Sequence, residues 1–197
     1  MKKLFVIANW MQGNGLSGGD RIFIELVKRW QLQLNITLFL SKEGSAICKR
    51  HELGDINQKV WASNFFSRWG YLVDILYRTL NSIINAFSVK TVAGDIIFSS
   101  SDFWPDSFPA LILKKRNPKI TWIAGFYLFA PKPWQKNSPY RGKRFLTGFL
   151  YWIGQLPAYY IIRKYADVVF VTSQPDVDRF ITHIRSKESV IVIRGGV

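Results

Sequence analysis

The 197-residue sequence contains one cysteine, Cys48, and two histidines, His51 and His183. A single cysteine excludes a disulfide framework and any zinc site built from several cysteines. Two histidines so far apart make a metal-centred enzyme unexpected, and we assign no metal site. What is left is an ordinary globular composition, with 48% hydrophobic and 20% charged residues, long enough for one domain with a hydrophobic core.

Acidic residues are scarce as well: 13 stand against 27 lysines and arginines, for a net charge of +14. Such an excess indicates an anionic partner, which can be a nucleic acid, a phosphorylated ligand or an anionic membrane. Nucleic acid is the least favoured of the three because no helix-turn-helix, zinc or RNA-binding motif accompanies the charge. No acidic residue lies between Asp106 and Asp167, a stretch with eleven basic residues that forms either a solvated face or an anion-binding surface.

Long hydrophobic runs are few. The apolar run at 4–9 is short and lacks a cleavage site, so it predicts a strand rather than a signal peptide. Residues 145–162 carry no charge, but Gln155 and Pro157 disfavour a membrane span, and basic residues flank the segment. We therefore expect a cytoplasmic protein that rests on the inner face of the cell membrane through basic and aromatic residues. The candidate contacts are Lys114, Lys115, Arg116, Arg141, Lys143, Arg144 and Trp152.

Seven short apolar runs rich in β-branched and aromatic residues predict strands. They are continuous rather than alternating, which is typical of parallel strands covered on both faces. Helical patterns separate most of them, so we predict a doubly wound, mostly parallel α/β sheet with helices on both faces, forming one domain over 1–197. The predicted strands are 4–9, 36–40, 59–63, 95–100, 119–124, 167–173 and 190–193.

Helices are predicted at 20–30, 64–90, 105–117, 145–165 and 175–186. The pattern is clearest in 64–90, where large apolar residues recur at helical spacing and Asp74, Arg78, Asn81 and Asn85 take the other side. This pattern is typical of an amphipathic helix.

A glycine-rich loop, Gly-Asn-Gly-Leu-Ser-Gly at 13–18, lies between the first strand and the first helix. Its backbone amides and the helix N-terminus attract phosphate, although the glycines also suit a simple turn. Binding of NAD or FAD is disfavoured because Glu43, the only candidate for the acid that closes the second strand, lies beyond Ser41 and Lys42. No cofactor is predicted. Gly18 and Gly19 open the helix, Asp20 lies in its first turn, and Arg21 is a candidate phosphate partner.

Ligands in open α/β sheets bind beyond the carboxyl ends of the strands. The candidate ligand contacts at these ends are Ser101, Asp102, Gly125, Phe126 and Ser173. Ser101, Asp102 and Ser173 are equally well interpreted as residues that begin helices. Asp102 also suits a general base, but the sequence does not single out a catalytic residue.

In this order of signals the sequence resembles the N-terminal domain of glycosyltransferase family 4, which has the GT-B fold. The resemblance rests on the strand, Gly18-Gly19-Asp20-Arg21 loop and helix of 4–30. It continues with Ala166-Asp167 before a strand ending in Thr172-Ser173, and with the apolar strand before Arg194-Gly195-Gly196-Val197. The sequence departs from the family at 122–127, where the usual histidine is missing, and at Arg194-Gly195, where the family has Pro-Asn.

The resemblance implies the acceptor-side half of a retaining glycosyltransferase that acts in the cell envelope. Such an enzyme moves a sugar from a nucleotide-sugar to a glycan or a lipid-linked acceptor. The family's donor-binding domain, with its Glu-x7-Glu motif, is not found in this sequence, so we expect the chain to be incomplete alone or to pair with a separate domain. The alternative expectation is a non-catalytic module of the same fold that docks on a membrane or a partner.

Overall fold

The structure, a computed structural model, describes residues 2–13 and 15–194. Within these residues seven strands form one sheet in the order β3-β2-β1-β4-β5-β6-β7, and every neighbouring pair is parallel. The predicted fold class is therefore confirmed, and the sheet is wholly parallel. The strands are β1 (Lys3–Ala8), β2 (Asn35–Ser41), β3 (Asn57–Ala62), β4 (Ile96–Ser99), β5 (Thr121–Gly125), β6 (Val168–Val171) and β7 (Val190–Val192).

Helices cover both faces of this sheet. Along β1, Leu4 and Val6 point into one hydrophobic core, and Phe5 and Ile7 point into the other, because successive side chains of a strand face opposite ways. The core around Leu4 is closed by the first two helices, and the core around Phe5 by the later ones. The helices are α1 (Gly18–Trp30), α2 (Lys42–Arg50), α3 (Tyr71–Ser88), α4 (Trp104–Arg116), α5 (Phe145–Tyr165) and α6 (Val177–Phe180).

One helix was missed, and one predicted helix is wrong in extent. Helix α2 was not predicted; it starts directly after β2, where Ser41 accepts a hydrogen bond from the Gly44 amide at 2.9 Å. The predicted helix at 175–186 shrinks to a 3-10 turn, Gln174–Asp176, and the single turn α6. Beyond α6 the buried Arg185 guanidinium donates to the carbonyl oxygens of Ile162 and Phe180, which holds the chain in a non-helical path.

Helix α3 lies within the predicted segment 64–90, and it buries the polar side of the pattern. Six large apolar side chains are 49% to 66% exposed, while Asp74 and Arg78 are buried at 2% and 0%. The helix thus presents its polar side to the protein and its apolar side to the solvent. We call the exposed row the apolar stripe; it consists of Trp69, from the turn before α3, and Leu72, Leu76, Leu80, Ile84 and Phe87.

A buried ion-pair network explains this orientation. The Arg78 guanidinium lies 3.0 Å from Asp74 Oδ2 and 2.9 Å from Glu43 Oε1, and it donates to the carbonyl oxygen of Asn9 at 3.2 Å. Gln12 adds a hydrogen bond to Asp74 at 2.9 Å. A buried charge is tolerated only when it is paired and hydrogen-bonded, so these contacts hold α3, α2 and the loop after β1 together.

We expect Arg78→Met to lower the free energy of unfolding by about 3–5 kcal/mol because it leaves two carboxylates without their cation. Arg68→Met is the matched control, since Arg68 lies exposed just before the same helix. Chemical denaturation of both variants measures the difference. Equal losses for the two variants would show that the network does not hold this region together.

Candidate functional site

A groove of about 420 Å³ lies at the carboxyl ends of β1, β4 and β5. Its position is the place where open parallel sheets bind ligands. The loop after β1, the start of α1, the β4–α4 connection and α5 contribute to it. We call it the rim groove; its main lining residues are Trp10, Gly19, Asp102, Phe103, Tyr127 and Tyr151.

Aromatic rings form one wall of the rim groove. Trp10 stacks on Phe103 with ring centroids 5.0 Å apart, and Phe103 lies parallel to Tyr151 at 6.3 Å. Tyr71, at the start of α3, and Trp10 form an edge-to-face pair with ring centroids 5.6 Å apart. Apolar and aromatic walls with a few convergent polar groups are typical of small-molecule sites.

The start of α1 forms the opposite side. Ser17 and Asp20 make a capping box: Ser17 Oγ accepts from the Asp20 amide at 3.1 Å, and Asp20 accepts from the Ser17 amide at 2.9 Å. Gly19 allows the Tyr127 ring to approach, since a Cβ at Gly19 would lie 3.0 Å from it. Gly125 lies below the same ring, where a Cβ would be 2.7 Å from the Tyr127 hydroxyl and 2.8 Å from the Ser100 carbonyl oxygen.

Asp102 supplies a carboxyl group to the rim groove. One of its oxygens accepts a hydrogen bond from Gln155 Nε2 at 2.8 Å, and Gln155 also accepts from the Ala130 amide at 2.8 Å. These bonds connect the β4–α4 loop to α5 and to the segment after β5. Burial raises the pKa of Asp102 to about 6, although the Gln155 hydrogen bond opposes the rise.

Asp106, in the first turn of α4, was not among the predicted site residues. Its carboxylate accepts from the Asn9 and Trp10 amides at 2.6 and 3.2 Å and from the Ser100 and Ser101 hydroxyls at 3.2 and 2.5 Å. Burial outweighs these bonds and raises the pKa of Asp106 to about 7. A carboxylate next to Pro105 at a helix start was the available signal, but its long-range partners are not visible in sequence.

The predicted ligand contacts are brought together in part. Gly19, Asp20, Ser101 and Asp102 line the rim groove, and Gly125 supports it from below. Gly18 is exposed at the start of α1.

Three predicted contacts lie elsewhere. Arg21 lines a separate hollow on α1 with Arg29 and Arg194, away from Gly19. Ser173 donates to Asp176 at 2.7 Å, outside the rim groove lining. Phe126 is 1% exposed in the core, because the residue after β5 turns its ring inward, towards Phe180.

The predicted membrane contacts occupy two ends of the helical layer. Helices that follow parallel strands run antiparallel to them, so the end of α4 and the start of α5 lie at opposite edges of the sheet. Lys114 forms a salt bridge with Asp167 at 2.8 Å, and Arg116 donates a hydrogen bond to the Ala86 carbonyl oxygen at 2.9 Å. Lys115, Arg141, Lys143 and Arg144 are exposed, and Trp152 packs against Trp134 at 4.9 Å.

None of the helices in residues 2–13 and 15–194 has both the length and the apolar character needed to cross a bilayer. This includes α5, which contains the uncharged segment 145–162. The closing residues Gly195, Gly196 and Val197, which carry part of the resemblance, lie outside the described residues.

A wholly parallel sheet with helices on both faces and a groove at its carboxyl edge defines a Rossmann-like α/β domain. Among solved structures, those of Anabaena HepE share this fold over 100% of the chain. They are the complexes with UDP, with UDP-glucose, and with UDP and glucose, at TM-scores of 0.53, 0.54 and 0.53. The chain thus shares the Rossmann-like fold of this part of the HepE structures.

Sequence identity to HepE is 16%, so the likeness concerns the fold alone. The chain spans 44% to 45% of the length of the HepE chains, which is less than half. No protein-family model matches this sequence, and no curated protein does.

The raised pKa of Asp106 predicts a pH-dependent stability. Because the folded state holds this proton more tightly, the stabilisation is complete below pH 4 and is lost as the pH rises through about 7. We expect the stability of the wild type relative to Asp106→Asn to fall by about 1 kcal/mol or more between pH 4.5 and 7.5. Urea denaturation at the two pH values measures it.

Asp178→Asn serves as the control because Asp178 is an exposed carboxylate. Its stability difference from the wild type is expected to stay constant over the same range. A constant difference for Asp106→Asn as well would show that Asp106 titrates normally.

Proposed function

We propose that the chain is the acceptor-side half of a retaining glycosyltransferase of the family 4 type, with 1–197 as one domain. Such an enzyme transfers a sugar from a nucleotide-sugar to a glycan or a lipid-linked acceptor. The observation that carries the proposal is the rim groove, which combines flat aromatic faces with the carboxyl group of Asp102. The fold shared with HepE, which is solved with UDP and UDP-glucose, supports it.

In this proposal the groove holds the acceptor. The aromatic wall of Trp10, Phe103 and Tyr151 offers apolar ring surface against which a sugar lies, and Asp102 accepts a hydrogen bond from one of the sugar's hydroxyls. In the transfer, an acceptor oxygen forms the new bond to the anomeric carbon of the donor sugar. The bond from that carbon to the nucleotide's phosphate oxygen breaks, and the released phosphate takes up the proton of the acceptor hydroxyl.

The donor half is proposed to come from outside this sequence. The chain covers less than half of HepE, and Arg21 lies away from the rim groove. We therefore expect no hydrolysis of UDP-glucose by the chain alone. Reversible contact with the anionic inner face of the cell membrane is part of the proposal, and the exposed residues among the basic candidates support it.

A second candidate function is a non-catalytic module that docks on a membrane or a partner. The apolar stripe on α3 favours it, because large exposed apolar patches mark interaction sites. The two functions differ in their requirement for a sugar in the rim groove, and this difference decides between them.

Saturation-transfer NMR with the methyl glycosides of glucose, galactose and N-acetylglucosamine tests the acceptor-side function. At pH 8, where Asp102 is ionised, we expect at least one sugar to bind and Asp102→Asn to weaken it about tenfold or more. The asparagine side chain has a similar shape and still contains a hydrogen-bond-accepting oxygen, so the loss of sugar affinity reports the missing charge. Affinity is also expected to fall as the pH drops through about 6, where the wild-type carboxylate becomes protonated.

Asp178→Asn is the matched control, since it removes an exposed carboxylate outside the groove lining. It is expected to bind the sugar as the wild type does. If none of the sugars binds, or if Asp102→Asn binds with unchanged affinity, the acceptor-side function is wrong. Tight binding of UDP alone would instead indicate a donor site.

A further inference from the structure

The apolar stripe exposes one large apolar side chain on every turn of α3. Its residues are spaced by three or four positions from Trp69 to Phe87, which keeps them on one side of the helix. An α3 of 18 residues is roughly 27 Å long, so the row is continuous over that distance. Exposed apolar surface of this extent is costly in water and indicates that something covers it.

No exposed charge interrupts the stripe. Across α3, which is described throughout, the charged side chains are Asp74 and Arg78, and both are buried in the ion-pair network. The buried ion pairs therefore fix the orientation of α3, because turning the stripe inward would bring Asp74 and Arg78 out of their paired positions. The stripe is a maintained surface of the folded protein.

Basic residues stand at both ends of the stripe. Arg68 precedes Trp69, with its guanidinium 5.6 Å from the Phe65 ring. At the other end, the Arg116 guanidinium lies 5.7 Å from the Phe87 ring, and Lys90 is exposed. Between Asp55 and Asp95 the one acidic residue is the buried Asp74.

We infer that the apolar stripe lies in the surface of an anionic lipid membrane. A helix with an apolar face, basic ends and terminal aromatic rings lies parallel to the bilayer plane, with its apolar face among the acyl chains and its cations at the headgroups. The net charge of +14 favours such a surface and opposes pairing with a second copy of the chain. In this orientation Tyr71, which contacts Trp10 of the rim groove, places the groove close to the lipid.

The apolar stripe places the main membrane contact on α3 and not on the basic residues at α4 and α5. Helix α5 exposes large apolar side chains at its start, Phe145 and Leu146, and then only at Ile153 and Tyr160, seven residues apart. Helix α3 exposes one on each turn. The inference shares with the proposed function only its membrane contact. Sugar binding and lipid binding therefore fail separately, and each experiment reports on one of them.

Vesicle flotation of the full chain tests the inference. We expect the wild type to bind phosphatidylcholine vesicles that contain roughly 30% phosphatidylglycerol and to bind pure phosphatidylcholine more weakly. Leu80→Glu with Ile84→Glu is expected to lower the partition coefficient about tenfold or more, because both carboxylates would enter the acyl region. The free protein, measured by ultracentrifugation, is expected to be monomeric with or without these changes.

Leu32→Glu with Ile184→Glu is the matched control. These side chains are 83% and 65% exposed outside α3, and the pair changes the net charge by the same two units. It is expected to bind within about twofold of the wild type. Absence of wild-type binding, or equal binding by both double variants, overturns the inference, and so does a dimer that only the α3 variant dissociates.

Quenching of tryptophan fluorescence by brominated phosphatidylcholine, mixed with phosphatidylglycerol, locates the contact without a destabilising change. Trp69 and Trp134 are 63% and 51% exposed, the first in the stripe and the second near α5. We expect Trp69→Phe to lose a measurable part of the quenching and Trp134→Phe to keep it. The opposite result assigns the contact to the α5 side and overturns the inference.

Discussion

The pairing of Arg78 with Asp74 and Glu43 is the interaction on which the rest of the structure depends. A guanidinium with no exposed surface needs acceptors around it, and α2, α3 and the loop after β1 each supply one. The loop after β1 is thereby fixed, and so is Trp10 at the rim groove. The same pairing turns the polar side of α3 inward and leaves its apolar side in the solvent.

Two surfaces of different chemistry result from this constraint. The rim groove is polar at its base, where Asp102 and Asp106 are held in surroundings that raise their pKa values to about 6 and about 7. The apolar stripe carries no exposed charge along its helix. The contact between Trp10 and Tyr71 joins them, so a sugar in the groove and a lipid at the stripe would be neighbours.

Such an arrangement suits the function that we propose, which acts on a sugar attached to, or delivered at, a membrane. Burial raises the pKa of both carboxyl groups, and their hydrogen bonds hold the ends of β1 and β4 in place. The aromatic wall adds rigid apolar surface at little cost in side-chain entropy. The parallel α/β fold, which HepE shares, provides the groove's position at the carboxyl edge of the sheet.

The sequence by itself determined the seven strands and the fold class, since continuous runs such as 4–9 are typical of parallel strands covered on both faces. It also located Gly19 and Asp102 at the strand ends. Only the tertiary structure decided the orientation of α3, the inward ring of Phe126 and the role of Asp106. Periodicity shows that a helix has two sides, but which side is buried depends on partners such as Glu43 and Asn9, which lie far away along the chain.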